Sequence, residues 1–264
     1  MQTRAYWKNY NMTFRDVNLG PAENASFWQT CPIVAHLDPS NASVFYDDFF
    51  WQPSTKAAQS GAWTIIEDDT AAGTDAVLDA RGGQYKHYCD NASDDDEAYM
   101  FTNKESWILT AGYSIWMEAR VAFVEGSTNK GNFLVGMTDA AGADMIADAG
   151  AGPKSNYGGA VFWNLENALT LSFETSNAGV QSTATSCGSH VSGTFQNFGI
   201  WFKTESTSDT VTICTPYING TAYTARNLTL ASLAEMEFCV GCKSDSTAEE
   251  AFIIDYVKIV QIRN

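Results

Sequence analysis

The chain has 264 residues, 45% hydrophobic and 13% aromatic, with 15 Lys and Arg against 31 Asp and Glu. A formal charge of -16 argues against a direct nucleic-acid role, since phosphate contacts need a cationic surface, and sets the chain against anionic membrane surfaces. Only 17% of residues are charged, while Ser, Thr, Asn and Gly abound, which is the balance of a turn-rich β protein and not of a helical one.

In chain order, the first segment differs from the rest. Residues 1–43 carry three bases (Arg4, Lys8, Arg15) and three acids (Asp16, Glu23, Asp38), so the whole negative charge falls on residues 44–264. The segment holds Tyr6, Trp7, Tyr10, Phe14, Phe27 and Trp28 without a sustained period of 3.6 or 2, and Pro21, Pro32 and Pro39 interrupt it. Solvated tails are depleted in aromatics, and free termini fray unless tied down. These six aromatics are therefore expected to be held against something, either the chain's own body or a partner. The opening residues, MQTRAYWKNYNMTFRD, show no apolar signal core, so secretion by the usual route is not expected. No run approaches the ~20 apolar residues of a membrane span.

From residue 44 the chain reads as short β segments divided by turn signals such as ARGGQ, DAAGAD and SNAG. They fall at 44–50, 62–67, 76–80, 84–89, 98–102, 114–123, 132–138, 158–163, 169–175, 198–204, 210–218, 236–242 and 252–262. Only LASLAEME (230–237) reads as briefly helical. About a dozen strands without a long helix predict two stacked antiparallel sheets. In 115–123 Trp116, Glu118, Arg120 and Ala122 share one face, and Ile115, Met117, Ala119, Val121 and Phe123 share the other. In the last segment Phe252, Ile254, Tyr256, Val260 and Ile262 alternate with Ile253, Val257 and Ile259. Apolar residues on both sides predict a central strand.

Six cysteines stand at 31, 89, 187, 214, 239 and 242. A chain of this length does not need disulfides, so buried free thiols are expected. Cys187 and His190 with Cys239 and Cys242 sketch a zinc set, although the spacing is of a kind that chance supplies.

Three stretches resemble the concanavalin A-like jelly rolls of glycoside hydrolase family sixteen. VFYDDFFWQPSTKAAQSGAW is similar to the opening strand and first Trp. YSIWMEARVAF (113–123) resembles the Tyr-x-x-x-Glu-Ala-Arg strand, one residue out of step. FIIDYVKIVQ (252–261) resembles the closing Asp-Tyr-Val strand. The resemblance implies an all-β, concanavalin A-like jelly-roll sandwich over residues 44–264, preceded by an extended arm, 1–43. It also implies a catalytic Glu-x-Asp-x-x-Glu strand, since a retaining mechanism needs two carboxylates ~5 Å apart. GGAVFWN, at the corresponding place, has no acid. No Gly-x-Ser-x-Gly or His-Glu-x-x-His appears either. The expectation is that the chain is not an enzyme and needs no cofactor. The family's structural calcium would fall to Asp255 with Asp48 or Asp47, hard oxygen ligands; otherwise Asp255 accepts hydrogen bonds only.

The body also resembles jelly-roll virion proteins of tailed bacteriophages, in its early Asp-Asp-Phe, GNFLVGMTD, FGIWFKTE and ING stretches and its final Asp-Tyr strand. This implies a capsid decoration or cement protein on the virion exterior, assembled in the host cytoplasm. Its partner would be the major capsid protein or another virion subunit, and it would form a homo-oligomer, by family habit a trimer. The arm aromatics would anchor it, as Trp and Tyr commonly do at interfaces. The alternative is a lectin-like, carbohydrate-binding host-recognition or tail-fibre module with Trp116, Trp163 and Trp201 as a stacking platform, against the plainer reading that these rings fill the core.

Overall fold

The structure is a computed structural model that describes residues 25–32, 34–50, 61–67, 76–78, 80, 82–89, 95–148, 151–164, 168–244 and 249–263. Among the described residues, two single helical turns, α1 (Ala25–Trp28) and α2 (Val34–Leu37), precede sixteen strands numbered in chain order. The nine-stranded sheet runs β13 (Thr221–Ala222), β12 (Val211–Ile218), β11 (Gln196–Lys203), β6 (Ile115–Val124), β16 (Ala251–Ile262), β4 (Tyr85–Tyr88), β3 (Ala76–Val77). β1 (Ala42–Asp47) pairs with the second half of β16, and β14 (Arg226–Thr229) pairs with β12. The seven-stranded sheet runs β10 (Val180–Ala184), β9 (Leu171–Asn177), β8 (Gly159–Asn164), β7 (Gly131–Thr138), β15 (Glu237–Ser244), β5 (Glu97–Thr102), β2 (Trp63–Glu67). All these pairings are antiparallel, and the result is a jelly-roll β-sandwich.

Period-2 patterning builds the core. Met117, Val121, Phe198, Phe202, Val257 and Ile259 project from the larger sheet onto Met100, Val135, Phe162, Phe173, Phe238 and Val240 of the smaller. Phe162 meets Phe173 and Phe198 with ring centroids 5.1 and 5.4 Å apart. Burying each such ring contributes about 1.5–3 kcal/mol, and truncating Phe162 to Ala would cost about 3–5 kcal/mol.

The opening strand is locked to the fold by Asp47. Its Oδ2 accepts the Trp63 indole N–H at 2.7 Å, and its Oδ1 accepts the Phe49 amide at 2.9 Å. Phe49 sits at φ 48°, and Gly83 allows the close approach: a Cβ there would lie 2.3 Å from the Asp48 carbonyl oxygen.

Several expectations are corrected. β16 is central, between β6 on one side and β1 and β4 on the other, but its register shifts between Ile254 and Tyr256. A bulge inserts one unpaired residue and inverts the alternation beyond it. Phe252, Ile254, Val257 and Ile259 therefore face the core, while Tyr256, Val260 and Ile262 do not. Residues 230–237 form no helix: Ser232 turns at φ 61°, and Met236 bridges to Trp107. The 76–80 segment shortens to Ala76–Val77. Cys239 packs outside the seven-stranded sheet and Cys242 inside it, since residues three apart on a strand face opposite ways. They cannot share an ion, and among the described residues no three-ligand metal cluster occurs.

Candidate functional site

The outer face of the nine-stranded sheet is ordered in rows by strand register. Val44, Val260, Trp116, Trp201 and Thr215 form one row, and Tyr46, Lys258, Glu118, Gly199 and Tyr217 the next. Tyr256, Arg120 and Asn197 form a third. Among the described residues, the N-terminal segment covers much of the first two rows but leaves Tyr46 exposed and Tyr256, Arg120 and Asn197 of the third row half-buried.

The covering strap is formed by residues 27–32 and 34–36. Phe27 is completely buried over Gly199, where a Cβ would come within 3.3 Å of its ring. It meets Tyr217 edge-on at 5.0 Å. Trp28 donates its indole N–H to Glu118 Oε1 at 2.9 Å, and the Lys258 ammonium lies 4.5 Å from the centre of the Trp28 ring. Trp116 donates in turn to the Thr30 hydroxyl at 2.8 Å. Cys31 and Ala35 complete this apolar patch against Val260. Burial pushes the Glu118 carboxyl up, opposed by its two hydrogen bonds, and pushes the Lys258 ammonium down. Phe27 and Trp28 are thus seated on their own sheet. Tyr6, Trp7, Tyr10 and Phe14 lie outside the described residues.

Trp116 and Trp201 stack at 6.2 Å with a 13° interplanar angle, beneath or beside the strap. Trp163 lies on the far side of the molecule, on the outer face of the seven-stranded sheet. It packs there with Tyr99, Leu134 and Tyr157, and Gly152 closes over its ring. The three tryptophans do not form one platform. Glu174, on that same far face, is buried and accepts hydrogen bonds from Tyr157, Gln181 and Thr183.

The open part of the nine-stranded face carries a different constellation. Tyr46, 56% exposed, lies beside Tyr256 with ring centroids 6.4 Å apart. The Tyr256 hydroxyl donates to Glu118 Oε1 at 2.8 Å, so one carboxylate oxygen holds both Trp28 and Tyr256. Asp255, the bulge residue, pairs with Arg120 through Oδ2 and accepts the Gln84 amide on Oδ1 at 3.3 Å. The Arg120 guanidinium also lies over Phe195 at 4.3 Å. The Tyr46 phenol is pushed up to about 12, by burial, by its hydrogen bond to Asp48 and by the charges of Asp48, Asp255 and Asp47. Both carboxylate oxygens of Asp255 are engaged, one by a full positive charge. That arrangement does not fit a calcium ion held by Asp255 with Asp48, because the ion would have to displace the guanidinium.

Tyr46, Tyr256, Arg120 and Phe195 were not singled out by sequence reasoning. Uninterrupted alternation places Tyr256 with the core residues, and only the bulge turns it outward. The one usable signal was Tyr46, which stands out of phase with Phe45 in the strand Ala42–Asp47.

No family model matches the chain, and no curated protein matches it by sequence. Solved structures do match its fold. An endo-1,3-beta-glucanase from Streptomyces sioyaensis is 13% identical, with a TM-score of 0.56, covering 86% of this chain and 99% of that one. An endo-beta-1,4-glucuronan lyase from Trichoderma reesei is 13% identical, with a TM-score of 0.52, covering 81% and 94%. The carbohydrate recognition domain of Emp47p is 13% identical, with a TM-score of 0.51, covering 84% and 97%. The fold is therefore the concanavalin A-like jelly roll of lectin-like recognition domains and glucanases. The expectation that the chain is not an enzyme is corrected: this fold carries a glucanase and a lyase, so lacking one family's carboxylate strand does not exclude chemistry. At such identity the likeness establishes fold and no activity. A bacteriophage origin finds no support in these matches.

Proposed function

We propose that the chain binds carbohydrate, and that the Tyr46–Tyr256 pair with Arg120 and Asp255 is the subsite. The supporting observation is the juxtaposition itself: two neighbouring phenol rings, one more than half exposed, beside an Arg–carboxylate pair on the part of the sheet face that the described strap leaves uncovered. A pyranose presents an apolar C–H face and a rim of hydroxyls. Tyrosine offers a flat apolar ring with a polar tip for the former. Arg120, Asp255 and Gln84 offer forked donors and carboxylate acceptors for a pair of adjacent hydroxyls. The lectin-like fold adds to the reading, since the Emp47p domain is described as one of carbohydrate recognition.

A glycan array followed by calorimetry on its best oligosaccharide tests this. Binding should occur, and Tyr46→Ala should weaken it at least about tenfold, or about 1.4 kcal/mol, with the circular dichroism spectrum unchanged. No binding by the folded protein to any glycan on the array, or full affinity in the Tyr46→Ala variant, would sink the proposal.

A further inference from the structure

Cys89 follows β4 in the nine-stranded sheet and Cys242 lies within β15 of the seven-stranded sheet, 153 residues apart in sequence. Their sulfurs nevertheless meet in the sealed core, with Sγ atoms 2.8 Å apart. Both side chains are essentially unexposed, at 1% and 0%. Each backbone is fixed by its own sheet. The Cys89 amide donates to the Glu250 carbonyl at 2.9 Å, and Cys242 is paired opposite Ala98 and Phe133. The sulfurs therefore meet without either sheet being displaced. The other four cysteines lack such a mate. Cys31 faces His36 Nε2, Cys187 reaches the Ala184 carbonyl, Cys239 points out of the opposite face of β15, and Cys214 is buried on β12.

We infer that Cys89 and Cys242 are an oxidative modification site, forming a disulfide that staples the two sheets together. The chemistry needs a small disulfide oxidant, such as oxidised glutathione. One cysteine gives up its proton and attacks a glutathione sulfur, releasing one glutathione thiolate. The second cysteine, also deprotonated, displaces the other glutathione. Two S–H bonds are lost, one S–S bond forms, and the two electrons leave on two reduced glutathiones. Exchange requires thiolate and access. In the closed sandwich burial pushes the Cys89 thiol well up, so the bond forms as the sheets close during folding. Once formed, it is shielded from reductant.

The test is to unfold the full chain, refold it in a glutathione redox buffer and in excess reductant, alkylate both in denaturant, and map unreduced digests by mass spectrometry. The oxidised sample should yield one cross-linked peptide joining Cys89 to Cys242 and leave four alkylated cysteines. It should also melt about 5–15 °C above the reduced sample. Without denaturant, dithiothreitol should cleave the bond far more slowly than with it. Cys89→Ala should yield no cross-link and a melting temperature indifferent to the redox buffer. Six alkylated cysteines after oxidising refolding, or a cross-link between any other pair, overturns the inference; this readout uses the unaltered chain and does not depend on a variant folding.

Discussion

The Trp28 indole N–H reaches Glu118 Oε1 at 2.9 Å, so a residue of the N-terminal segment satisfies a buried carboxylate in the middle of the larger sheet. The same oxygen accepts the Tyr256 hydroxyl. A hydrogen bond to a charged acceptor contributes about 1.5–3 kcal/mol, and in its absence Tyr256 stays as the remaining donor to that oxygen. Trp28→Phe keeps an aromatic ring but removes the donor. It should lower unfolding stability in urea by about that amount and speed limited proteolysis within residues 25–41. Unchanged stability and cleavage would mean that the strap is held without the Trp28–Glu118 hydrogen bond.

Trp163 offers a contrast with Tyr46. Its ring is buried under Gly152 on the opposite sheet. Trp163→Ala should cost about 3–5 kcal/mol of stability while leaving the glycan affinity of the folded fraction untouched. A calorimetric loss of affinity matching that of Tyr46→Ala would move the site to the other face.

Asp255 is paired with Arg120, whose side chain is 36% exposed. Asp255→Asn should cost about 1 kcal/mol, the modest scale of a partly exposed ion pair. Neither calcium nor a chelator should shift the melting temperature of the parent protein. A calcium-dependent rise in melting temperature that Asp255→Asn abolishes would restore the metal reading.

Glu250 is fully buried. Burial and, more weakly, the nearby Glu125 charge raise its carboxyl from 4.5 to about 7, against the opposing backbone hydrogen bonds from Gly126 and Ser127. A raised folded-state value means that the native chain keeps a proton the unfolded chain releases. Stability from this group is therefore lost as pH climbs from 4.5 to about 7, and is fully present below that window. Glu250→Gln, which stays neutral, should match the parent near pH 4.5. At pH 8 it should exceed the parent by on the order of 2–3 kcal/mol in denaturant titrations. An equal difference at both pH values would place the carboxylate in water.

Strand content, the two-faced pattern of 115–123 and the central place of the last strand were all readable from residue order. These depend on a period of two, which the backbone imposes locally. The short edge strands β10, β13 and β14 escaped notice because they bury little and so carry no apolar alternation. The site was barely legible. Trp116, Trp163 and Trp201 look alike in sequence, yet two lie at the strap and the third lies on the other sheet.

Composition and alternation by themselves determined that this chain folds as a two-sheet sandwich with an acidic exterior, because burying apolar faces is a property of each strand. Which aromatic rings remain open was decided only in three dimensions. A single extra residue at Asp255 turns Tyr256 outward, and the missing side chain of Gly199 lets Phe27 cover the sheet beside it. Both effects arise from contacts between segments far apart in sequence, which no local pattern records.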